Sequence, residues 1–151
     1  MAFVFLLFTY NWVNATEPRV VSKVEANSSS FYLALGDELD RPRSQAKHSF
    51  GCADKIFAVA ELNHFPKGKH EFSVRWVDPA DITREHTRYP FHIHKDVTRL
   101  WSWLSLRRGA GAGMLQWLDP SAGLEEFIGP WTVKVTVDGK QLAELTMEIN
   151  C

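Results

Sequence analysis

The stretch Gly129–Cys151 constrains the fold more than any other part of the chain. Trp131, Val133, Val135 and Val137 alternate with Thr132, Lys134 and Thr136, so a strand built from them has one apolar face and one wet face. Ala143, Leu145, Met147 and Ile149 alternate in the same way with Leu142, Glu144, Thr146 and Glu148. Asp138-Gly139 between the two runs is a hairpin signal, because both residue types tolerate the positive φ of a tight turn. Both apolar sets fall on odd numbers. Directly paired residues share a face, so their numbers must sum to an even number. The pattern therefore predicts an odd number of loop residues, such as a three-residue turn with glycine in the left-handed region. A hairpin with one apolar face needs a second sheet to cover it, and the remaining chain has to supply that sheet.

The candidates for that cover are short and punctuated by turns. Ile56-Phe-Ala-Val-Ala-Glu-Leu62 is almost continuously apolar, as in a central strand covered on both sides, or in one near a sheet edge under a loop. Within His70–Val77, Phe72, Val74 and Trp76 alternate with Ser73 and Arg75, and Asp78-Pro79-Ala80-Asp81 breaks the run. Ile82–His94 is polar and extended, and Pro90, which has no N–H to donate, makes it an edge strand. Thr98–Leu106 carries Trp101 and Trp103 on one face and Leu100, Leu104 and Leu106 on the other. Phe31–Leu35 is a shorter strand closed by Gly36, Thr16–Lys23 is an extended lead-in, and Asp37–Lys47 is a polar loop. Met114–Ile128 fits a short helical turn crossing between sheets. About seven strands without a long amphipathic helix predict an all-β protein, an immunoglobulin-like antiparallel two-sheet sandwich with Trp76 in its core. A small closed barrel is the alternative.

Residues 1–15 contain no charged side chain, and their apolar run is too short for a bilayer, which takes ~20 residues to cross. Val13 and Ala15 stand where a small-residue cleavage site needs them. The segment reads as a secretory signal peptide cleaved after Ala15, leaving 16–151 as a single domain without a membrane span. A buried first strand is the other reading. Asn14-Ala-Thr and Asn27-Ser-Ser match the glycosylation acceptor pattern. Cys52 and Cys151 are the two cysteines of the chain, and an oxidising compartment invites them to pair, tying the last strand to the body of the domain. Two free thiols are the alternative. A formal net charge of −1 provides no basic field for nucleic acid.

Asp54-Lys55-Ile56-Phe57, Pro66-Lys-Gly-Lys-His70, Val74-Arg-Trp76-Val-Asp78-Pro79, Trp101-Ser-Trp103-Leu104 and Gly129-Pro-Trp131 followed by Asp138-Gly139 form an ordered series over residues 50–151. In these motifs the chain resembles uncharacterised small secreted bacterial proteins with an immunoglobulin-like β-sandwich domain. The resemblance implies a cell-envelope location and an accessory or binding role. It carries over no catalytic residues.

Three sets of residues invite chemistry. His92 and His94 share one side of a strand, and His86 has the same parity, so the three could hold copper or zinc, with Glu85 in reach; the plainer reading is a solvated polar edge. Trp101 and Trp103 share a face and read as core; if exposed, they and Trp117 would make a stacking surface for sugar rings or a patch for a partner. Arg107-Arg108 before Gly109–Gly113 lacks the lysine and following helix of a phosphate loop and reads as a hairpin tip. There is no Gly-x-Ser-x-Gly motif, and no nucleophile with a nearby base stands out. The expectation is a non-catalytic secreted or periplasmic module without a resident cofactor that binds an envelope or secreted protein. A copper- or zinc-binding periplasmic protein and a carbohydrate-binding sandwich are the alternatives. The binding surface is expected between Thr83 and Phe127.

Overall fold

The computed structural model describes residues 23–26, 28–106 and 123–151. The expected signal peptide, Asn14, Asn27, the expected arginine–glycine loop 107–113 and Trp117 lie outside them, as does nearly all of the expected extended lead-in. The described residues form nine strands: β1 (Lys23–Ala26), β2 (Ser29–Leu35), β3 (Ser49–Gly51), β4 (Lys55–Asn63), β5 (Gly68–Val77), β6 (Thr83–Ile93), β7 (Val97–Ser105), β8 (Gly129–Val137) and β9 (Lys140–Asn150). One turn of 3-10 helix at Glu125–Phe127 precedes β8. No described helix is long and apolar enough to cross a membrane.

The strands make two sheets, ordered β1-β2-β4-β7 and β3-β9-β8-β5-β6. The inner faces share one core. Phe31, Leu33, Ile56, Ala58 and Leu62 meet Phe72, Val74, Trp76, Val133, Val135, Leu145, Met147 and Ile149 in a single cluster. Each fully buried aliphatic or aromatic side chain stabilises by roughly 1.5–3 kcal/mol, and here both hairpin strands contribute. Trp131 places its Nε1–H on the Phe127 carbonyl at 2.8 Å, whereas the buried Nε1–H of Trp76 has no acceptor among the described residues. β4 lies between β2 and β7 and is buried on both faces, in keeping with its unbroken apolar run.

Two expectations about pairing need correction. The chain is not wholly antiparallel, since β3 runs parallel to β9. The register Gly51↔Asn150 puts Cys52 beside Cys151, and the two form a disulfide with their Cα atoms 5.3 Å apart. A three-residue strand with no alternation is held where it is by this bond and by its neighbour. The hairpin also meets its parity requirement by a different device. Asp138 (φ 51°) and Gly139 (φ 76°) make a two-residue turn closed by Val137↔Lys140. The register then shifts between Val135 and Thr136, from Thr136↔Gln141 to Val135↔Ala143, so Leu142 is the inserted residue. The odd residue is a bulge in β9 rather than part of the loop.

Side chains set the other turns. The Asp78 carboxylate accepts the N–H groups of Ala80 (2.9 Å) and Ile82 (2.8 Å) and pairs with Arg84, closing the β5–β6 connection. Burial opposes its ionisation, but the backbone amides and the Arg84 guanidinium together hold it below the usual carboxylate range. The Asp138 carboxylate accepts the Glu71 N–H at 2.8 Å and meets His70 Nδ1 at 2.7 Å, pinning the hairpin turn to β5.

Candidate functional site

The clearest candidate surface begins on β7. Its register on β4, Val59↔Trp101 and Phe57↔Trp103, sets which side chains face the core. Leu100, Ser102 and Leu104 point inward and are buried, while Trp101 and Trp103 point outward and remain 40% and 47% exposed. The expectation that the two tryptophans are core is therefore corrected. Both faces of β7 are apolar in sequence, so alternation could not choose between them. The inward face includes Ser102, whose hydroxyl is satisfied by donating to Thr87 Oγ1 at 2.7 Å.

Beside the tryptophans, on the same outer face of the four-stranded sheet, lies a second small apolar cluster made of buried Tyr32, Ala34, Phe57 and Val59. Gly36 comes so close to it that a Cβ there would stand 3.1 Å from the Phe57 ring. Charged residues cover this layer in matched pairs. The Lys55 ammonium lies 4.3 Å from the Trp103 ring centroid and 5.4 Å from that of Phe57, and is ion-paired with Asp40. Arg99 donates to Tyr32 Oη (2.9 Å) and the Pro42 carbonyl (3.0 Å) and lies 3.4 Å from Glu61. The Tyr32 hydroxyl donates to Glu61 at 3.0 Å. Burial, aided by Glu61 and opposed by Arg99, raises the Tyr32 phenol above its ordinary range.

Next to this strip the edges of the two sheets, β6 and β7, flank a cleft of about 720 Å³. Tyr89 and Thr87 tie the edges together: the Tyr89 hydroxyl donates to the Trp101 carbonyl at 3.1 Å, and Thr87 accepts from Ser102. Arg84, Glu85, Leu106, Phe127 and Trp131 line the rest. Arg84 is neutralised by Asp78 and Glu126 while its guanidinium lies 4.9 Å from the Phe127 ring centroid. The arrangement is an aromatic recess between two strand edges, with hydrogen-bonding groups around it.

The histidines fall differently from their parity. The rings of His92 and His94 stack with centroids 4.1 Å apart and planes 11° from parallel. A metal ion binds in the plane of an imidazole, and two nearly parallel planes share no common point near the rings. His86 lies six positions before His92 on β6, roughly 20 Å away at 3.3 Å per residue, and its Nε2 is 2.8 Å from the Ser73 hydroxyl. The structure thus does not bring His86 together with the other two. Among the described residues no three His, Cys, Asp or Glu side chains converge on a point that could hold an ion.

Sequence reasoning did not single out Arg84, Tyr89 and Phe127, which shape the cleft, because Arg84 and Tyr89 join it only when β6 and β7 meet and Phe127 only through the 3-10 turn before β8. It also passed over Arg75 and Lys134, which alternation marks only as outward-facing. Their adjacency depends on the β5–β8 register.

No protein-family model matches the chain, and no curated protein matches it. Among solved structures it is similar to the Pseudomonas fluorescens alkylpurine DNA glycosylase AlkC bound to DNA containing an abasic site analog. That likeness has 12% sequence identity and a TM-score of 0.41, over 69% of this chain and 28% of that one. The chain therefore spans little more than a quarter of that protein's length.

Proposed function

We propose that the protein is a non-catalytic secreted or periplasmic immunoglobulin-like module that binds an envelope or secreted protein through Trp101, Trp103 and the adjoining β6–β7 cleft. One observation carries the reading: two tryptophans stand half-exposed on an edge strand beside an aromatic recess. Exposed tryptophan beside a buried apolar cluster is the composition of an interface hot spot. The neighbouring strand edges offer backbone groups that an extended segment of a partner can pair with. The strand orders β2-β4-β7 and β9-β8-β5 follow the A-B-E and G-F-C orders of an immunoglobulin sandwich, with Trp76 in the place of its core tryptophan, and this supports the finer fold assignment. The disulfide supports an oxidising compartment.

A carbohydrate ligand is the second reading, and the exposure of Trp101 favours it. The Lys55 ammonium over the Trp103 ring counts against it, because a sugar stacking on that side would have to displace the cation. The test is capture from the envelope fraction of the native host by immobilised protein. A protein species is expected to be retained by the wild type and by His92→Ala/His94→Ala, and to be lost from Trp101→Ala/Trp103→Ala while its far-UV dichroism and cooperative thermal unfolding are kept. Retention unaffected by the tryptophan replacements would overturn the reading. A saturable change in tryptophan emission with a neutral oligosaccharide would move it to the second.

A further inference from the structure

The β4–β5 connection, the start of β5 and the β8–β9 turn meet at one imidazole. His70 pairs with Phe91 on β6 and shares the inner side of β5 with Phe72, so the strand carries its ring inward. The ring is 10% exposed and lies against Phe65 and Phe91, with centroids 5.4 and 5.5 Å away. Its Nδ1 is 2.7 Å from the Asp138 carboxylate, and its Nε2 is 2.8 Å from the Pro66 carbonyl. Both partners are acceptors. A neutral imidazole has one N–H and one lone pair and can serve only one of them, whereas the imidazolium serves both. The site is therefore built around a cation. The β8–β9 turn faces the ring with Asp138, β6 with Phe91, and the β4–β5 connection with Phe65 and the Pro66 carbonyl; among the described residues Asp138 is the one charged group acting on it. The Glu71 side chain pairs with Arg88 instead.

The two partners are not equally dependent on the ring. Asp138 is held to β5 a second time, since its other carboxylate oxygen accepts the Glu71 N–H at 2.8 Å and its own N–H donates to the Glu71 carbonyl at 2.9 Å. The Pro66 carbonyl has only the ring among the described residues. The other hydrogen bond of this connection runs from the His64 N–H to the Asp96 carbonyl, at 2.8 Å. A ring that loses one proton keeps the N–H that points at the carboxylate, because a bond to a charged acceptor is the stronger. It then turns a lone pair toward the Pro66 carbonyl. We propose that His70 is a pH-operated latch: as an imidazolium it fastens residues 64–67 to β5 and to the β8–β9 turn, and on losing a proton it releases them at Pro66 while the turn stays attached. Asp138 raises the imidazole above its ordinary range, so the latch is closed below that range and opens as pH rises through the raised value. This device is independent of the docking surface on β7.

The test is nitrogen-15 NMR of the full chain from about pH 5 to about pH 9, which brackets the imidazole range. Both His70 ring nitrogens should carry protons at the acid end and Nδ1 alone at the alkaline end. Across the same range the protection of the His64 amide against hydrogen exchange, corrected for its intrinsic rate, should fall by ~10-fold, the scale of one net hydrogen bond. The Glu71 amide should stay within about twofold, because its bond to Asp138 is kept. The step should be absent from His70→Gln, which retains His64, His92 and His94. Asp138→Asn separates this account from a simple loss of charge. Asparagine tolerates the positive φ of the turn, and its amide N–H donates to Nδ1 of a neutral ring whose Nε2–H still serves Pro66. That variant should keep the His64 amide protected at the alkaline end, where the wild type does not. A wild-type ring protonated at Nε2 alone at the alkaline end, unchanged His64 protection, a step that survives in His70→Gln, or equal release in Asp138→Asn would each overturn the proposal.

Discussion

On the outer face of the four-stranded sheet, cations are matched to acids: Lys55 to Asp40 and Arg99 to Glu61. On the outer face of the five-stranded sheet, Arg75 and Lys134 stand directly opposite each other, with Glu144 opposite Lys134 on its other side, and neither cation forms an ion pair among the described residues. The difference follows from what lies beneath. The first face has a buried aromatic layer, and its ion pairs sit over that layer, with Lys55 against two aromatic rings. The second carries mainly Ser, Thr and charged residues, with Val77 buried at one end, and no buried aromatic layer among the described residues lies on it. Charge on the first face therefore serves packing, and on the second it is spread among cations and acids over the sheet.

The largest test of that contrast is a pair of truncations. Phe57→Ala, on the outside of the first sheet, should destabilise by about 3–5 kcal/mol, because Phe57 is as buried as a core residue. Thr136→Ala, on the outside of the second, should stay within about 0.5 kcal/mol of the wild type. Urea midpoints measure both, and similar losses would erase the distinction. Trp103→Ala should cost less, roughly 1–2 kcal/mol, since about half of the side chain is in solvent. In the same variant, capture of the protein partner should fall sharply.

Partnered cations also predict a pH dependence that unpartnered ones do not. The bond to Asp138 raises the His70 imidazole above its ordinary range, against the effect of burial and with help from the Pro66 carbonyl; His70 in turn lowers the Asp138 carboxyl. His70 therefore contributes stability that is fully present below the unfolded imidazole range and is lost as pH rises through its raised value. Asp138 contributes above the unfolded carboxylate range and is lost as pH falls through its lowered value. Together they stabilise between roughly pH 4 and pH 7. The melting temperature of His70→Gln should fall below that of the wild type at pH 5.5 and approach it at pH 8.5; a constant gap would show that the ring contributes packing alone. The smallest effect expected is at Arg75→Gln, where relief of like-charge repulsion should raise stability by a few tenths of a kcal/mol, ~0.2–0.5. A loss of 1 kcal/mol or more would mean that Arg75 has a structural partner.

These contrasts were legible in the sequence only in part. The hairpin, the doubly buried β4 and the edge position of β6 could be read directly, because period-2 alternation, an unbroken apolar run and Pro90 are local signals. The parity of the hairpin was right and its device wrong, since a turn and a bulge at Leu142 shift register by the same one residue. β3 was invisible because three residues carry no period, and the disulfide places them. Trp101 and Trp103 were misplaced because Leu100 and Leu104 made both faces of β7 equally apolar, and only the pairing of Ser102 with Thr87 distinguishes the inner one. The adjacency of Arg75 and Lys134 is a property of register, which no single strand reveals.

The central claim is that the aromatic face docks a protein while the opposite face does not. A photo-crosslinking amino acid placed at Ser105, exposed on β7 beside Trp103, and separately at Thr136, on the opposite outer face, tests it directly. In the envelope fraction of the native host, irradiation should give a protein adduct from position 105 and none from position 136. An adduct from position 136 with none from 105 would contradict the account.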